Sequence, residues 1–192
     1  MKSLLKSTSW KVFLVLFIPL AIPLFSAILH LYQGIIIGTL LCMLIFISWL
    51  DSLGTNLYLK LRDKNKLNVL LFKFNITIIV FYLFIAAAIV FIFIAKKEIL
   101  KSFNPGLILM ILAPVSAYTL IGIIHSLFFI SKLLVSVETR VIIGSFDKHF
   151  VEFLLLLFLP IGIWWLQPRI NKIFLKRRIR TSTHVTLETT KE

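Results

Sequence analysis

The chain has 192 residues, of which 59% are hydrophobic, and it carries a formal net charge of +13. Soluble globular domains have about 45–50% apolar residues, so these proportions exclude a chain built mainly of water-soluble domains. The basic residues lie between apolar runs and at the chain ends, and they form no basic and aromatic surface patch. This pattern argues against nucleic acid as a partner and is typical of a membrane topology signal.

Four apolar runs are long enough to cross a membrane as helices. They extend over about 12–31, 34–58, 74–95 and 106–131. A helix of about 20 residues covers the roughly 30 Å hydrocarbon core of a bilayer. We therefore predict an all-α, polytopic helical membrane bundle with four transmembrane helices, which forms a single integral membrane domain over residues 1–180.

A fifth apolar segment, over 150–166, is shorter and contains helix-breaking residues. Its 14 residues without a charge, Phe153 to Leu166, would cover only about 21 Å as a helix. Segments of this length are typical of re-entrant or interfacial helices. We predict that the segment dips into the membrane and returns, with its turn near Pro160 and Gly162. A short fifth spanning helix is the alternative.

The charges of the connecting segments predict the orientation of the chain. Three lysines give residues 1–11 a net +3, and five basic and two acidic groups give 51–73 the same value. Residues 96–101 carry a net +2, residues 132–152 balance at zero, and seven basic and two acidic groups give the tail from Arg169 a net +5. Basic segments stay on the inside, so we predict a multi-pass protein of the cell (inner) membrane with cytoplasmic N- and C-termini.

Polar residues within the apolar runs are candidate functional positions, because they are costly in hydrocarbon. In the fourth run Pro114, Tyr118, Gly122 and His125 share one helix face. This face could be a polar seam for a proton, ion or small ligand, with His125 as its titratable member. The favoured interpretation is a helix–helix interface, where Gly122 permits close approach and His125 bonds to a neighbouring helix.

Two further features stand out, a polar face of the first run and an aspartate at the end of the second. Pro19, Pro23, Ser26 and His30 share a face of the first run, and together with the face of the fourth run they could line a cavity. At the end of the second run, Asp51 is a further candidate. Its carboxylate could pair with a nearby basic residue or lie among lipid headgroups, and the second interpretation is favoured. The basic residues within reach are Lys60, Arg62 and Lys73.

The chain after Pro168 is strongly basic. It predicts a basic amphipathic helix over 168–180, followed by a mobile tail over 181–192 that lacks an apolar pattern. Such a helix binds the anionic lipid headgroups of a membrane surface. The candidate headgroup contacts on one face of this helix are Arg169, Lys172, Lys176 and Arg180.

The run from Pro160 to Asn171 reads PIGIWWLQPRIN. It resembles the C-terminal pattern P-I-G-I-W-x-x-Q-P-x-[IV]-N of a largely uncharacterised family of small bacterial multi-span membrane proteins. The stretches FKFNITIIVFY and WLDSLGTNL match that family more loosely. The resemblance implies a membrane fold of four to five helices, and it adds no activity, cofactor or site residue.

The sequence contains no catalytic motif, and its histidines show no metal-ligand spacing. We therefore predict neither an enzyme nor a cofactor. The expected function is that of a structural or accessory membrane component, whose partners are the lipid bilayer, anionic lipid headgroups and a membrane protein or a second copy of the chain. The alternative is a small transporter or channel that uses the polar faces of spans one and four.

Overall fold

The computed structural model describes residues 4–61, 67–95, 105–142 and 145–188, and these residues form helices and short turns without a strand. This confirms the predicted all-α class. Short 3₁₀ helices at Leu4–Lys6 and Ile18–Leu20 accompany the α-helices. The α-helices are α1 (Ser9–Phe17), α2 (Ala21–Ile28), α3 (Tyr32–Lys60), α4 (Val69–Ala95), α5 (Pro105–Thr139), α6 (Phe150–Leu157) and α7 (Leu159–Glu188).

Four helical segments in the described ranges are long and apolar enough to cross a membrane. They are Ser9–Ile28, Tyr32–Lys60, Val69–Ile92 and Leu112–Thr139. These segments agree with the four predicted apolar runs. The last one extends past the predicted end at 131, because a single lysine at position 132 does not end a helix whose next residues are buried leucines.

The first span bends where its prolines lie. Pro19 is in the 3₁₀ turn between α1 and α2, since proline cannot donate the backbone hydrogen bond of a regular helix. After α2, His30 adopts a left-handed conformation with φ of 54°, which reverses the chain into α3. Gly38 allows α3 to pack closely on α2, because a Cβ atom there would lie 2.8 Å from Cδ of Pro23.

Helices α6 and α7 form a hairpin. Arg169 Nη1 on α7 lies 2.8 Å from Glu152 Oε1 on α6, whereas 17 residues of continuous helix would extend about 25 Å. The chain therefore folds back within this segment, and the turn lies at Phe158 rather than at Pro160 and Gly162. That the segment dips into the membrane and returns stays a prediction. Pro160 is instead in the first turn of α7, where its missing N–H leaves no helical bond unmade.

Helix α7 is longer than the sequence predicts. Pro168 lies inside α7 and does not begin a separate helix, and α7 continues to Glu188, which is eight residues into the predicted tail. Residues 189–192 of that tail lie outside the described residues. Pro168 removes one backbone hydrogen bond of the helix, and the helix continues past it.

The N-terminal segment, the end of α3, the end of α5 and α7 meet at one end of the bundle. Lys60 donates a hydrogen bond to the carbonyl of Ile173, and Gln167 Nε2 donates one to the carbonyl of Leu4 at 3.1 Å. The end of α5 reaches α7 through Arg169.

The buried core lies toward the same end of the bundle. There, Phe72 of α4 stacks on Phe129 of α5 with ring centroids 4.9 Å apart. Gly54 of α3 makes room for Phe72, since a Cβ atom at position 54 would lie 2.6 Å from the Phe72 ring. Leu166 and Ile170 of α7 are fully buried against this core.

Substituting Gly162→Ala tests the hairpin. A Cβ atom at position 162 would overlap the carbonyl oxygen of Leu155 and lie 2.6 Å from its carbonyl carbon. We expect the free energy of unfolding to fall by about 2 kcal/mol or more, as in overpacked cores. Thermal unfolding of the detergent-purified protein measures this change.

Gly122→Ala is the matched control. At position 122 the nearest atom is Asn75 Cβ at 3.7 Å, which is an ordinary contact. Alanine also favours a helix over glycine by about 1 kcal/mol, so this variant should be as stable as the parent or more stable. Equal unfolding temperatures for the two variants would contradict the close packing of α6 on α7.

Candidate functional site

The polar face of the fourth span packs against α4. Asn75 of α4 is 5% exposed, and its side chain contacts two of the predicted residues of α5. Tyr118 Oη donates a hydrogen bond to Asn75 Oδ1 at 3.0 Å, and Asn75 Nδ2 donates to His125 Nδ1 at 3.0 Å. His125 therefore accepts through Nδ1. A neutral His125 that accepts in this way carries its proton on Nε2.

This geometry supports the helix–helix interpretation of that face. Gly122 lies between the two bonding residues, but a built Cβ atom there would make only an ordinary contact, 3.7 Å from Asn75 Cβ, so the approach of α4 and α5 does not depend on this glycine. Asn75 is the member that sequence reasoning missed. Its signal was a lone amide inside the apolar run of the third span, a position where a polar group needs a partner.

The polar faces of the first and fourth spans lie on different neighbours. Ser26 packs on Gly34 of α3, where a built Cβ atom would lie 2.9 Å from Ser26 Cβ. His30 is exposed in the turn that follows α2. Because His125 faces Asn75 of α4, the structure does not bring the histidines of the two spans together.

Asp51 lies in an open polar groove between α3 and α4. The sequence left several basic residues as candidate partners for Asp51. In the structure Asp51 forms an ion pair with one of them, Lys73, whose Nζ is 2.6 Å from Asp51 Oδ1. The two side chains are 34% and 43% exposed. The groove has a volume of about 540 Å³, and its lining residues are Ile47, Ser48, Asp51, Ser52, Thr55, Asn56, Ile76 and Val80.

Arg169 connects three helices. Its guanidinium contacts Glu138 of α5 through Nε at 2.9 Å and through Nη2, and it contacts Glu152 of α6 at 2.8 Å. The hydrogen bonds to Glu138 and to Glu152 raise the pKa of Arg169 above its usual range, although burial opposes them. Arg169, which the sequence predicts to contact lipid headgroups, is thus bonded to two carboxylates of its own chain.

The other three predicted headgroup contacts lie further along α7. Lys172 is exposed, one turn beyond Arg169. Lys176 and Arg180 lie on the same helix, but their side chains are outside the described residues. Contact of these cations with anionic lipid stays a prediction.

Two polar residues of the PIGIWWLQPRIN run hold the N-terminal segment. Gln167 Nε2 donates to the carbonyl oxygens of Leu4 and Ser7, each at 3.1 Å, and Asn171 Nδ2 donates to the Ser7 carbonyl at 2.9 Å. The i, i+4 spacing of Gln167 and Asn171 places them on one face of α7. That spacing was the available sequence signal, and it was missed.

His149 is buried before α6 between two aromatic rings. It is 0% exposed, and its ring centroid lies 4.8 Å from that of Phe128 and 5.6 Å from that of Phe146. Burial lowers the pKa of His149, and the backbone of Ser145 opposes this effect. Neutral imidazole suits such an apolar site, since a buried charge without a partner is costly.

No group of three or more His, Cys, Asp or Glu side chains in the described ranges is placed to hold a metal ion. Comparison of the chain with protein-family models, curated proteins and solved structures gave no match. The resemblance carried by Pro160 to Asn171 therefore stays a prediction.

The Asn75 network generates a double-mutant prediction. Tyr118→Phe and Asn75→Ala each remove one partner of the same hydrogen bond, and we expect a coupling energy of about 0.6 kcal/mol, the average for such bonds in membrane helices. Thermal or denaturant unfolding in detergent measures it. The control cycle pairs Tyr118→Phe with Ser131→Ala, whose hydroxyl bonds to the Phe128 carbonyl. A coupling near zero in the Tyr118–Asn75 cycle would contradict the network.

The Arg169 cluster generates a second prediction for this site. Arg169→Met leaves Glu152, which is 8% exposed, without its cation. We expect the free energy of unfolding to fall by about 2 kcal/mol, below the 3–5 kcal/mol of fully buried pairs because Arg169 is 33% exposed. Adding Glu152→Gln should recover part of the loss. Lys172→Met, one turn along α7, is the control and should change little. A loss of equal size in both single variants would refute the ion-pair explanation.

Proposed function

We propose that this chain is a non-enzymatic structural or accessory component of the cell (inner) membrane. It crosses the membrane four times and acts by binding other membrane proteins or a second copy of itself. The observation that carries this proposal is the Asn75 network. The polar groups that could have formed a seam for a ligand or a proton are bonded to one another between α4 and α5, which supports the favoured interpretation that they assemble the bundle.

Both termini are placed on the cytoplasmic side in this proposal. The N-terminal segment and α7 meet at the same end of the bundle as the end of α3. These three parts border the most basic segments of the sequence, and basic segments near span ends stay on the cytoplasmic side. Exposed Trp10 and Trp164, with ring centroids 6.0 Å apart, suit the membrane interface at this end.

The spans expose wide apolar surfaces that lipid or a partner helix would cover. Only 11% of the hydrophobic window of the first span is buried, whereas 56% of that in α5 is buried. Phe25 and Ile28 of α2 are 66% and 73% exposed. The proposed partners are accordingly the bilayer, anionic headgroups at the basic end of α7, and a membrane protein or a second copy along the first three spans.

A small transporter or channel is the alternative. As formulated from the sequence, it uses the polar faces of spans one and four, and these faces pack on α3 and on α4 respectively. The alternative therefore lacks the shared cavity that motivated it. We retain the accessory role as the proposal.

A topology measurement tests the proposed arrangement. With a green fluorescent protein fused after Lys191, we expect fluorescence, and with alkaline phosphatase at the same place we expect no activity, because the tail should be cytoplasmic. The same reporters inserted between residues 96 and 101 should give the opposite pattern. An active phosphatase after Lys191 would mean an odd number of crossings and would overturn the arrangement.

The accessory role has its own test. Cross-linking in intact membranes followed by purification should capture a stoichiometric membrane partner or a second copy of the chain. Proteoliposomes should show no ion flux above protein-free vesicles. A flux that the parent supports and His125→Phe abolishes would favour the transporter alternative and contradict the accessory role.

A further inference from the structure

The groove between α3 and α4 has a polar end and an apolar end. Helices α3 and α4 are antiparallel neighbours, since residue 51 pairs with residue 73 while residues 47 and 80 line the other end of the same groove. Asp51, Ser52, Thr55 and Asn56 lie toward the end of α3. The lining further into the spans is apolar apart from Ser48, and its apolar residues are Ile47, Ile76 and Val80. This gradient matches a lipid, whose polar headgroup continues into apolar chains.

The groove lies at the depth of a membrane interface. Lys73 is four residues from the beginning of the third span at Val69, or about 6 Å along the helix axis. The Asp51–Lys73 pair therefore sits about one helical turn from the beginning of the third span. A volume of about 540 Å³ is in the range of small-molecule sites, and it suits a headgroup with the first part of its chains.

The charges of the groove select among headgroups. Asp51 and Lys73 present one negative and one positive charge side by side, 2.6 Å apart. A headgroup with a phosphate and a primary ammonium group complements both, because the phosphate accepts from Lys73 and the ammonium donates to Asp51. A trimethylammonium group cannot donate hydrogen bonds, and the glycerol headgroup of phosphatidylglycerol has hydroxyl groups but no positive charge to pair with Asp51.

We propose that the groove between α3 and α4 is a binding site for phosphatidylethanolamine, with Asp51 in its lining on the ammonium and the neighbouring Lys73, beside the groove, on the phosphate. The acyl chains follow Ile76 and Val80 toward the middle of the bilayer. This site is separate from the Asn75 network, and it does not depend on the accessory role.

Native mass spectrometry of the full chain tests the site. The protein, released from detergent, is mixed with equal amounts of palmitoyl-oleoyl phosphatidylethanolamine, phosphatidylcholine and phosphatidylglycerol, and the retained lipid is identified. We expect one phosphatidylethanolamine to be retained in preference to the others. Asp51→Asn should weaken that retention about tenfold, the effect of losing one charge-assisted hydrogen bond. Asp147→Asn, at an exposed carboxylate outside the groove, is the matched control and should not change it.

Lys73→Gln keeps the test decisive if Asp51→Asn unfolds the protein. Lys73 is 43% exposed, so losing its ion pair should change the free energy of unfolding by about 1 kcal/mol or less. Retention of phosphatidylethanolamine should still fall about tenfold, because the phosphate loses its cation. Equal retention of the three lipids by the parent, or unchanged retention by both Asp51→Asn and Lys73→Gln, would overturn the proposal.

Discussion

The guanidinium of Arg169 joins the end of α5 to both helices of the α6–α7 hairpin. The arrangement of the end of the bundle where the N-terminal segment, α3, α5 and α7 meet depends on it. Arg169 contacts Glu138 and Glu152, and because Glu152 is 8% exposed, its charge would be costly without this partner. Two residues away on either side, Gln167 and Asn171 hold the N-terminal segment. These contacts exist only because the chain folds back at Phe158.

The same constraint, that polar groups at membrane depth need partners, has two different outcomes in the spans. Between α4 and α5 it is met inside the protein, where Asn75 satisfies both Tyr118 and His125. Between α3 and α4 it is met only in part, because Asp51 has Lys73 while the Thr55 hydroxyl has no partner in the described part of the chain. The closed network joins α4 to α5, whereas the groove beside the Asp51–Lys73 pair leaves room for a ligand.

The number of long apolar helices could be predicted because it follows from the length of the apolar runs. The bounds of helices were less predictable. Propensity and charge do not say that α5 passes Lys132 to reach Thr139, or that α7 passes Pro168, because tertiary contacts override local signals there. The sequence predicts the turn near Pro160, two residues after its actual position at Phe158, since proline is as suitable inside the first turn of a helix as in a loop.

By itself, the sequence determined that this is a membrane protein, that it has four long apolar helices and which residues are polar within them. Each of these is a property of a single apolar run of the sequence. Only the tertiary structure decided the pairings. His125 and Asn75 are 50 residues apart along the chain, and Arg169 and Glu138 are 31 apart. A helix face shows that a side chain needs a partner, but the partner is set by which helices pack together. That packing placed the predicted polar face against α4 rather than the first span, and it left the groove beside Asp51 open.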